Sequence, residues 1–245
     1  MIHWRIETYD ILDSTNTELR KLADSGADEG LVIQALMQKN GKGRHGNYWF
    51  SPENGLYLSF LLKPEFSGEI VNLISLTIGL AVAEVIESET SLSPSLKWPN
   101  DIYLSRKKAG GILIETKFKG DKILYAICGL GLNFNQATSQ FPPEILKTST
   151  SLFMETGKIQ DQVLFVEKLL NRVDRYYSYL KDGKESGIIE RYSSFSLLDG
   201  KSVKINDDKL YKGKVIGISA RGSLKIMTDK GIKEFFSGSI VEISD

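Results

Sequence analysis

Along the first half of the chain the apolar positions change their period several times, and each change predicts an element. Thr15 and Glu18 have the spacing of a capping box, Leu19 and Leu22 share a face, and Gly26 suits a left-handed stop, so a helix is expected over Asn16 to Ser25 behind the polar entrance Asp13-Ser14-Thr15-Asn16. Leu31 to Met37 and Leu56 to Leu62 are short apolar runs of strand length, the second ended by Pro64. Between them, Asn40 to Asn47 is polar and carries three glycines, which marks a loop. From Ile70 to Glu87 the positions Ile70, Leu73, Ile74, Ile78, Ala81, Val82 and Val85 recur at helical spacing and predict the main core helix. The period then shortens: Ser95 to Trp98, Asp101 to Leu104, Gly111 to Lys119 and Lys122 to Phe134 are expected strands, with Lys119-Gly120-Asp121-Lys122 as a hairpin turn.

Past a loop containing Pro142 and Pro143, Asp161 is placed to cap a helix reaching about Leu180, and a shorter helix is expected around Ile188 to Tyr192. From Ser196 the texture is all short strands: Lys201 to Ile205, Leu210 to Ile218, Ser223 to Thr228, Ile232 to Phe236 and Ile240 to Ile243. Runs this short, separated by Gly and Asp turns, suggest a small barrel. The expected organisation is α+β, with a main domain over residues 1–193 and an all-β appendage over 194–245.

Composition removes several classes of function. The 245 residues hold 31 Lys and Arg against 31 Asp and Glu, so no global charge draws the chain to nucleic acid or an anionic membrane. Cys128 is the only cysteine and there are two histidines, which excludes an internal disulfide and leaves little for a zinc site. The N-terminus has neither a basic start nor an apolar run, and the most apolar stretch is interrupted by Asn72, Ser75, Thr77 and Glu84. A cytoplasmic protein with no membrane span and no DNA partner is expected.

Four segments carry candidate chemistry. In Gly41-Lys42-Gly43-Arg44-His45-Gly46 the glycines let backbone N–H groups approach an anion and the cations supply charge, although a solvated surface loop has the same composition and the pattern is not a Walker A loop. Lys97-Trp98-Pro99-Asn100-Asp101 packs a cation, an aromatic, an amide and a carboxylate into five residues; a strand end followed by a turn is the plain alternative. Gly110-Gly111 and Gly129-x-Gly131 put glycines inside neighbouring strands, where a flat ligand or close strand packing explains them.

Together these motifs resemble the biotin protein ligase family over nearly the whole chain. Asp13 to Asn16 is similar to its Ser-Thr-Asn entry, Gln38 with Gly41 to Gly46 to its Gly-Arg-Gly-Arg-x-Gly loop, and Lys97 to Asp101 to its Lys-Trp-Pro-Asn-Asp motif. Lys108 to Leu113 is similar to Lys-x-x-Gly-Ile-Leu, and Gly129 to Asn133 to Gly-x-Gly-x-Asn. The resemblance implies a mixed sheet with helices packed on it, the class II synthetase-like biotin–lipoyl ligase fold, ending in an SH3-like barrel. It implies an enzyme that joins biotin to ATP as biotinyl-5′-adenylate and passes the biotin to a lysine of a biotin carboxyl carrier protein, with Mg²⁺ as cofactor. A homodimer is compatible with it. With the Ser-Thr-Asn motif starting at Ser14, no room is expected ahead of it for the DNA-binding domain of longer members.

Carried over residue by residue, the resemblance assigns catalysis to Lys108, Arg44 and Asp101, Asp101 also being the candidate Mg²⁺ ligand. Biotin falls to Ser14, Thr15, Asn16, Gln38, Gly41, Lys42, Gly43, Arg44, Lys108, Gly110, Gly111, Gly129 and Gly131. ATP falls to Lys42, Arg44, Trp98, Asn100, Lys108 and Asn133, with a core role for Trp98 as the alternative. Residues 40–49 are expected to be disordered or displaced until ligand binds. Lys42 and Asn47 stand where the family has arginines, so the loop loses a bidentate fork and a charge. Two rivals stay open: a lipoate–protein ligase, and a non-catalytic biotin-sensing module.

Overall fold

The computed structural model describes residues 1–65 and 71–244. Seven strands form the larger sheet: β1 (Arg5–Leu12), β2 (Leu31–Gln38), β3 (Leu56–Leu62), β4 (Ser95–Lys97), β5 (Asp101–Leu104), β6 (Lys107–Lys119) and β7 (Lys122–Leu132), in the order β1-β2-β3-β7-β6-β5-β4. β1 and β2 run parallel, joined by helix α1 (Thr15–Asp24), and every other neighbouring pair is antiparallel. Strand β1 is absent from the expectation because its alternation slips: Ile6 and Ile11 are exposed while Tyr9 and Leu12 turn inward, as an edge strand tolerates.

Side chains alternate across a strand, and here the alternation separates two layers. Leu56, Leu58 and Phe60 of β3, Cys128, Leu130 and Leu132 of β7, and Ile112 of β6 face one side. There they pack on helices α2 (Val71–Thr90) and α5 (Gln162–Lys181) and on α6 (Glu185–Ser193), all in one apolar cluster. On the other side Ile33, Leu61 and Ile127 pack against Leu19 and Ala23 of α1. Helix α2 is long and apolar enough to cross a membrane by length and composition, but it is mostly buried in this core. Its single inward charge, Glu84, accepts from Arg191 of α6 at 2.9 Å and pairs with Arg172 of α5, so one carboxylate ties three helices together. The expected start of α2 at Ile70 lies outside the described residues.

Local signals acted as expected in two of three cases. Asp161 caps α5, accepting from Leu164 N at 3.0 Å. Gly26, at φ 96°, follows α1, where Ala27 N donates to Leu22 O at 2.9 Å, the bond of a Schellman stop. The capping box at Thr15 does not form. Ser14 is the N-cap residue, Thr15 is drawn inward to Gln38, and Glu18 pairs with Lys21 instead. Two short helices, α3 (Pro143–Leu146) and α4 (Leu152–Thr156), were not anticipated, being too short to show a period.

The C-terminal strands β8 (Ser202–Asn206), β9 (Leu210–Ile218), β10 (Leu224–Thr228), β11 (Gly231–Phe235) and β12 (Ser239–Ser244) form an antiparallel sheet in the order β11-β10-β9-β8-β12. Bulges at Lys225/Ile226 and Ile240/Glu242 bend it, and Val203, Ile205, Val215, Leu224, Ile226 and Phe235 fill its inner side.

Candidate functional site

The site grows from positions where the sheet carries no side chain. Cross-strand register sets Gly131 between Tyr57 and Gly111, and Gly129 between Ser59 and Leu113. Gly129 and Gly131 share the α1 side of β7 with Ile127, so the strand that packs under α1 becomes bare two residues further on. A Cβ at Gly129 would run into the Asn16 amide, and one at Gly131 into the Trp49 indole. The result is a cleft of ≈ 460 Å³ beside α1, floored by glycine and walled by Phe50, Phe141 and Ile145.

At one end of the floor sits a neutral polar group. Thr15 N and Thr15 Oγ1 both donate to Gln38 Oε1, at 2.8 and 3.2 Å. Gln38 Nε2 donates to Ser51 Oγ at 3.0 Å, and Ser59 Oγ donates to Asn16 Oδ1 at 2.6 Å. Thr15, Asn16, Gln38 and Ser59 are all buried, so this network is fixed before anything binds.

At the other end the charge is concentrated. Strand β6 is bulged against β5: Gly110 pairs with Ile102 but Lys108 with Tyr103, leaving Ala109 unpaired in the ladder. The extra residue re-aims Lys108 to the face of Asp101 and Gly111. Lys108 Nζ lies 2.6 Å from Asp101 Oδ1 and 5.5 Å from the centre of the Trp49 ring. From the loop, Arg44 donates to Asn100 Oδ1 at 3.1 Å; burial pulls its guanidinium below the ordinary arginine range, and nearby Asp101 works against that fall. His45, at φ 56°, and Gly46, at φ 76°, turn the chain back, closing a Lys42–Tyr48 bridge. The structure holds residues 40–49 as an ordered loop lining the cleft, rather than disordered or displaced without ligand.

A cleft with a neutral hydrogen-bonding end, an apolar wall and a cationic end suits a ligand whose head is polar and uncharged and whose tail ends in an anion. Comparison with known proteins agrees. The model of the "Biotin/lipoate A/B protein ligase family" matches residues 9–133, and that of the "Biotin protein ligase C terminal domain" residues 200–241. The chain belongs to the biotin/lipoate A/B protein ligase family. It is similar to the bifunctional ligase/repressor BirA of Bacillus subtilis, 32% identical over 95% of this chain and 72% of that protein. Among solved structures it resembles the biotin protein ligase of Aquifex aeolicus in complex with biotin and ATP, with 34% identity, a TM-score of 0.85 and 98% of each chain covered. The biotin–[acetyl-CoA-carboxylase] ligase of Mycobacterium tuberculosis is 31% identical over 66% of this chain and 59% of that one.

Most of the residues singled out in the sequence of this ligase line the one cleft: Ser14, Thr15, Asn16, Gln38, Lys42, Gly43, Arg44, Asn100, Asp101, Lys108, Gly111, Gly129, Gly131 and Asn133. Three do not. Gly110 faces the helix side, where a Cβ would sit 2.9 Å from Leu132, because strand alternation turns it away from its neighbour Gly111. Gly41 lies behind the floor, packed on the Trp49 carbonyl and Ser51. Trp98 is 3% exposed and donates its Nε1–H to Gly222 O at 3.1 Å, so it packs between the two sheets. Lys42 reaches across to Thr17 Oγ1 at 2.8 Å. Cys128 is fully buried, and burial pushes its thiol up, away from reactivity.

Trp49 and Ser59 were missed as individual site residues. Trp49 closes the cleft over Gly131 with a buried, unpartnered Nε1–H. A hydroxyl interrupting the apolar run of β3 was the available signal for Ser59. Ser239, at the start of β12, brings the C-terminal sheet to the same cleft.

Proposed function

We propose the following course for the reaction at this cleft. The ligase activates biotin with ATP as biotinyl-5′-AMP and transfers the biotinyl group to a lysine of a carrier protein. The observation that carries this reading is Lys108, held over a glycine floor between a neutral polar pocket and a cationic loop. The uncharged ureido ring suits Thr15, Asn16 and Gln38, and the apolar chain of biotin leads its carboxylate along the floor to Lys108. A carboxylate oxygen then attacks the α-phosphorus, and the bond to the β-phosphate oxygen breaks, releasing pyrophosphate. Bringing two anions together is the difficulty, and Lys108 and Arg44 supply the opposing charge in a site shielded by the loop. In the second step the acceptor amine attacks the acyl carbon, AMP leaves, and Asp101 is placed to take the ammonium proton.

Mg²⁺ fits only as a guest of the nucleotide. Asp101 Oδ1 is committed to Lys108 and Asn100 Oδ1 to Arg44, and no group of three or more metal-binding side chains exists among the described residues. Asp101 would therefore be the one protein ligand of an ion carried in on ATP phosphates, where it offsets their charge. We take residues 1–193 as the catalytic domain and 194–245 as the appended barrel, biotin carboxyl carrier protein as the acceptor, and the cytoplasm as the setting. Isotope exchange between pyrophosphate and ATP tests the reading: biotin should drive it and lipoate should not. Exchange driven by lipoate alone would overturn the reading in favour of a lipoate ligase, and biotin binding with no exchange and no carrier labelling would favour a sensor.

A further inference from the structure

Glu115 takes no part in the chemistry above, yet it sits on the cleft face of β6 two residues past Leu113, in contact with the polar end of the site. Its Oε2 accepts from Asn16 Nδ2 at 2.8 Å and its Oε1 is paired with the Arg20 guanidinium. Arg20 lies one helical turn along α1 from Asn16. An asparagine amide has nearly the same shape either way round, so only its neighbours decide which atom faces the ligand. A carboxylate accepts and never donates. Turned round, Asn16 would set an oxygen against an oxygen of Glu115.

With Nδ2 committed to Glu115, Asn16 Oδ1 faces Ser59 Oγ at 2.6 Å, above Gly129. Ser59 Oγ also lies 2.7 Å from Thr15 Oγ1 and has one proton to give. The amide oxygen has no proton, so it takes that of Ser59. The acceptor character of the floor is thus dictated from its rim.

We propose that Glu115, braced by Arg20, is a positioning residue that fixes the amide of Asn16 and makes this end of the cleft selective for a ligand bearing N–H donors. This rests on the reading of biotin as substrate, whose ureido ring has two such donors, and adds to it the residue that sets the polarity of the subsite. Lipoate, whose ring carries no N–H, gains nothing from that polarity.

The test separates polarity from simple bracing. In Arg20→Glu with Glu115→Lys, the ion pair is kept with its charges exchanged, but position 115 now donates, so Asn16 turns over. The KM for biotin in pyrophosphate exchange should rise by about tenfold or more, the scale of one mispaired buried hydrogen bond, with kcat and the KM for ATP within about threefold of the parent. Adding Asn16→Asp, which can only accept, should bring the biotin KM back to within about threefold of the parent. Glu115→Gln alone, which permits both amide orientations, should give a smaller rise of the same kind and serves if the exchanged pair does not fold. A charge-exchanged or Gln variant with the parent's biotin KM overturns the proposal, as does failure of Asn16→Asp to restore it. Absence of biotin-driven exchange in the parent protein would instead bring down the underlying assignment of biotin as substrate.

Discussion

The two faces of the larger sheet are built from the same strands and differ at nearly every alternate residue. Leu130 and Leu132 of β7 face α2 and are sealed from water; Gly129 and Gly131, their neighbours, face the cleft and leave it open. On the helix face bulk is what matters, because burial of apolar area drives folding. On the cleft face the useful property is missing bulk, with a few polar groups held rigidly around the gap. One pleat therefore divides stability from chemistry, and substitutions on the two faces should fail in different ways.

The largest effect is expected on the helix face. Phe60→Ala removes a fully buried ring that packs edge-on with Trp4, and should cost about 3–5 kcal/mol of stability, while the folded fraction keeps its kcat; chemical denaturation and activity per folded molecule measure both. Lys108→Ala on the opposite face should do the reverse. Adenylation should fall by about 10²–10³-fold, or ~3–4 kcal/mol of barrier, with biotin still bound and the midpoint of unfolding little changed. Loss of stability without loss of adenylation in this variant would break the comparison. Gly129→Ala drives a methyl into Asn16 and should raise the biotin KM by about tenfold or more while leaving the helix-face core intact; a parent-like KM would show that the floor need not be bare.

The smallest effect sharpens the contrast from within the helix layer. Burial by itself would push the Glu84 carboxyl up, but hydrogen bonds from Arg191 and Tyr176 and the charge of Arg172 outweigh it, leaving its pKa below the ordinary 4.5. A depressed carboxylate adds stability above the unfolded pKa and loses it as pH falls through the folded one. Glu84→Gln should therefore lower stability by about 1–2 kcal/mol near neutral pH, the arginines being partly exposed, and the gap to the parent should narrow as pH falls below the ordinary 4.5 and through the depressed carboxyl's own titration. A gap independent of pH would assign the cost to packing.

Much of the helix face was legible in the sequence because periodicity reports burial directly: the largely apolar run from Leu56 to Leu62 reads as a buried strand, and the repeat from Leu73 to Val85 announces the core helix. The cleft was legible for another reason, the order and spacing of its motifs. What stayed hidden depends on three-dimensional detail. The aim of Lys108 depends on a bulge whose only trace is one extra residue at Ala109, and the inward turn of Thr15 depends on Gln38, remote in sequence. Trp98 carries the same letters whether it meets a nucleotide or a second sheet. Strand β1 slipped past because an edge strand need not alternate cleanly.

The segment Lys97 to Asp101 ends facing two ways. Lys97 donates to Ile240 O at 3.2 Å in the C-terminal sheet and Trp98 to Gly222 O in the turn between β9 and β10, while Asn100 holds Arg44 and Asp101 holds Lys108. Five residues thus work as a rocker arm, with the appended sheet gripping one end and the reacting groups hanging from the other. The C-terminal part of the chain buttresses, through Lys97 and Trp98, the short segment on which Asn100 and Asp101 stand.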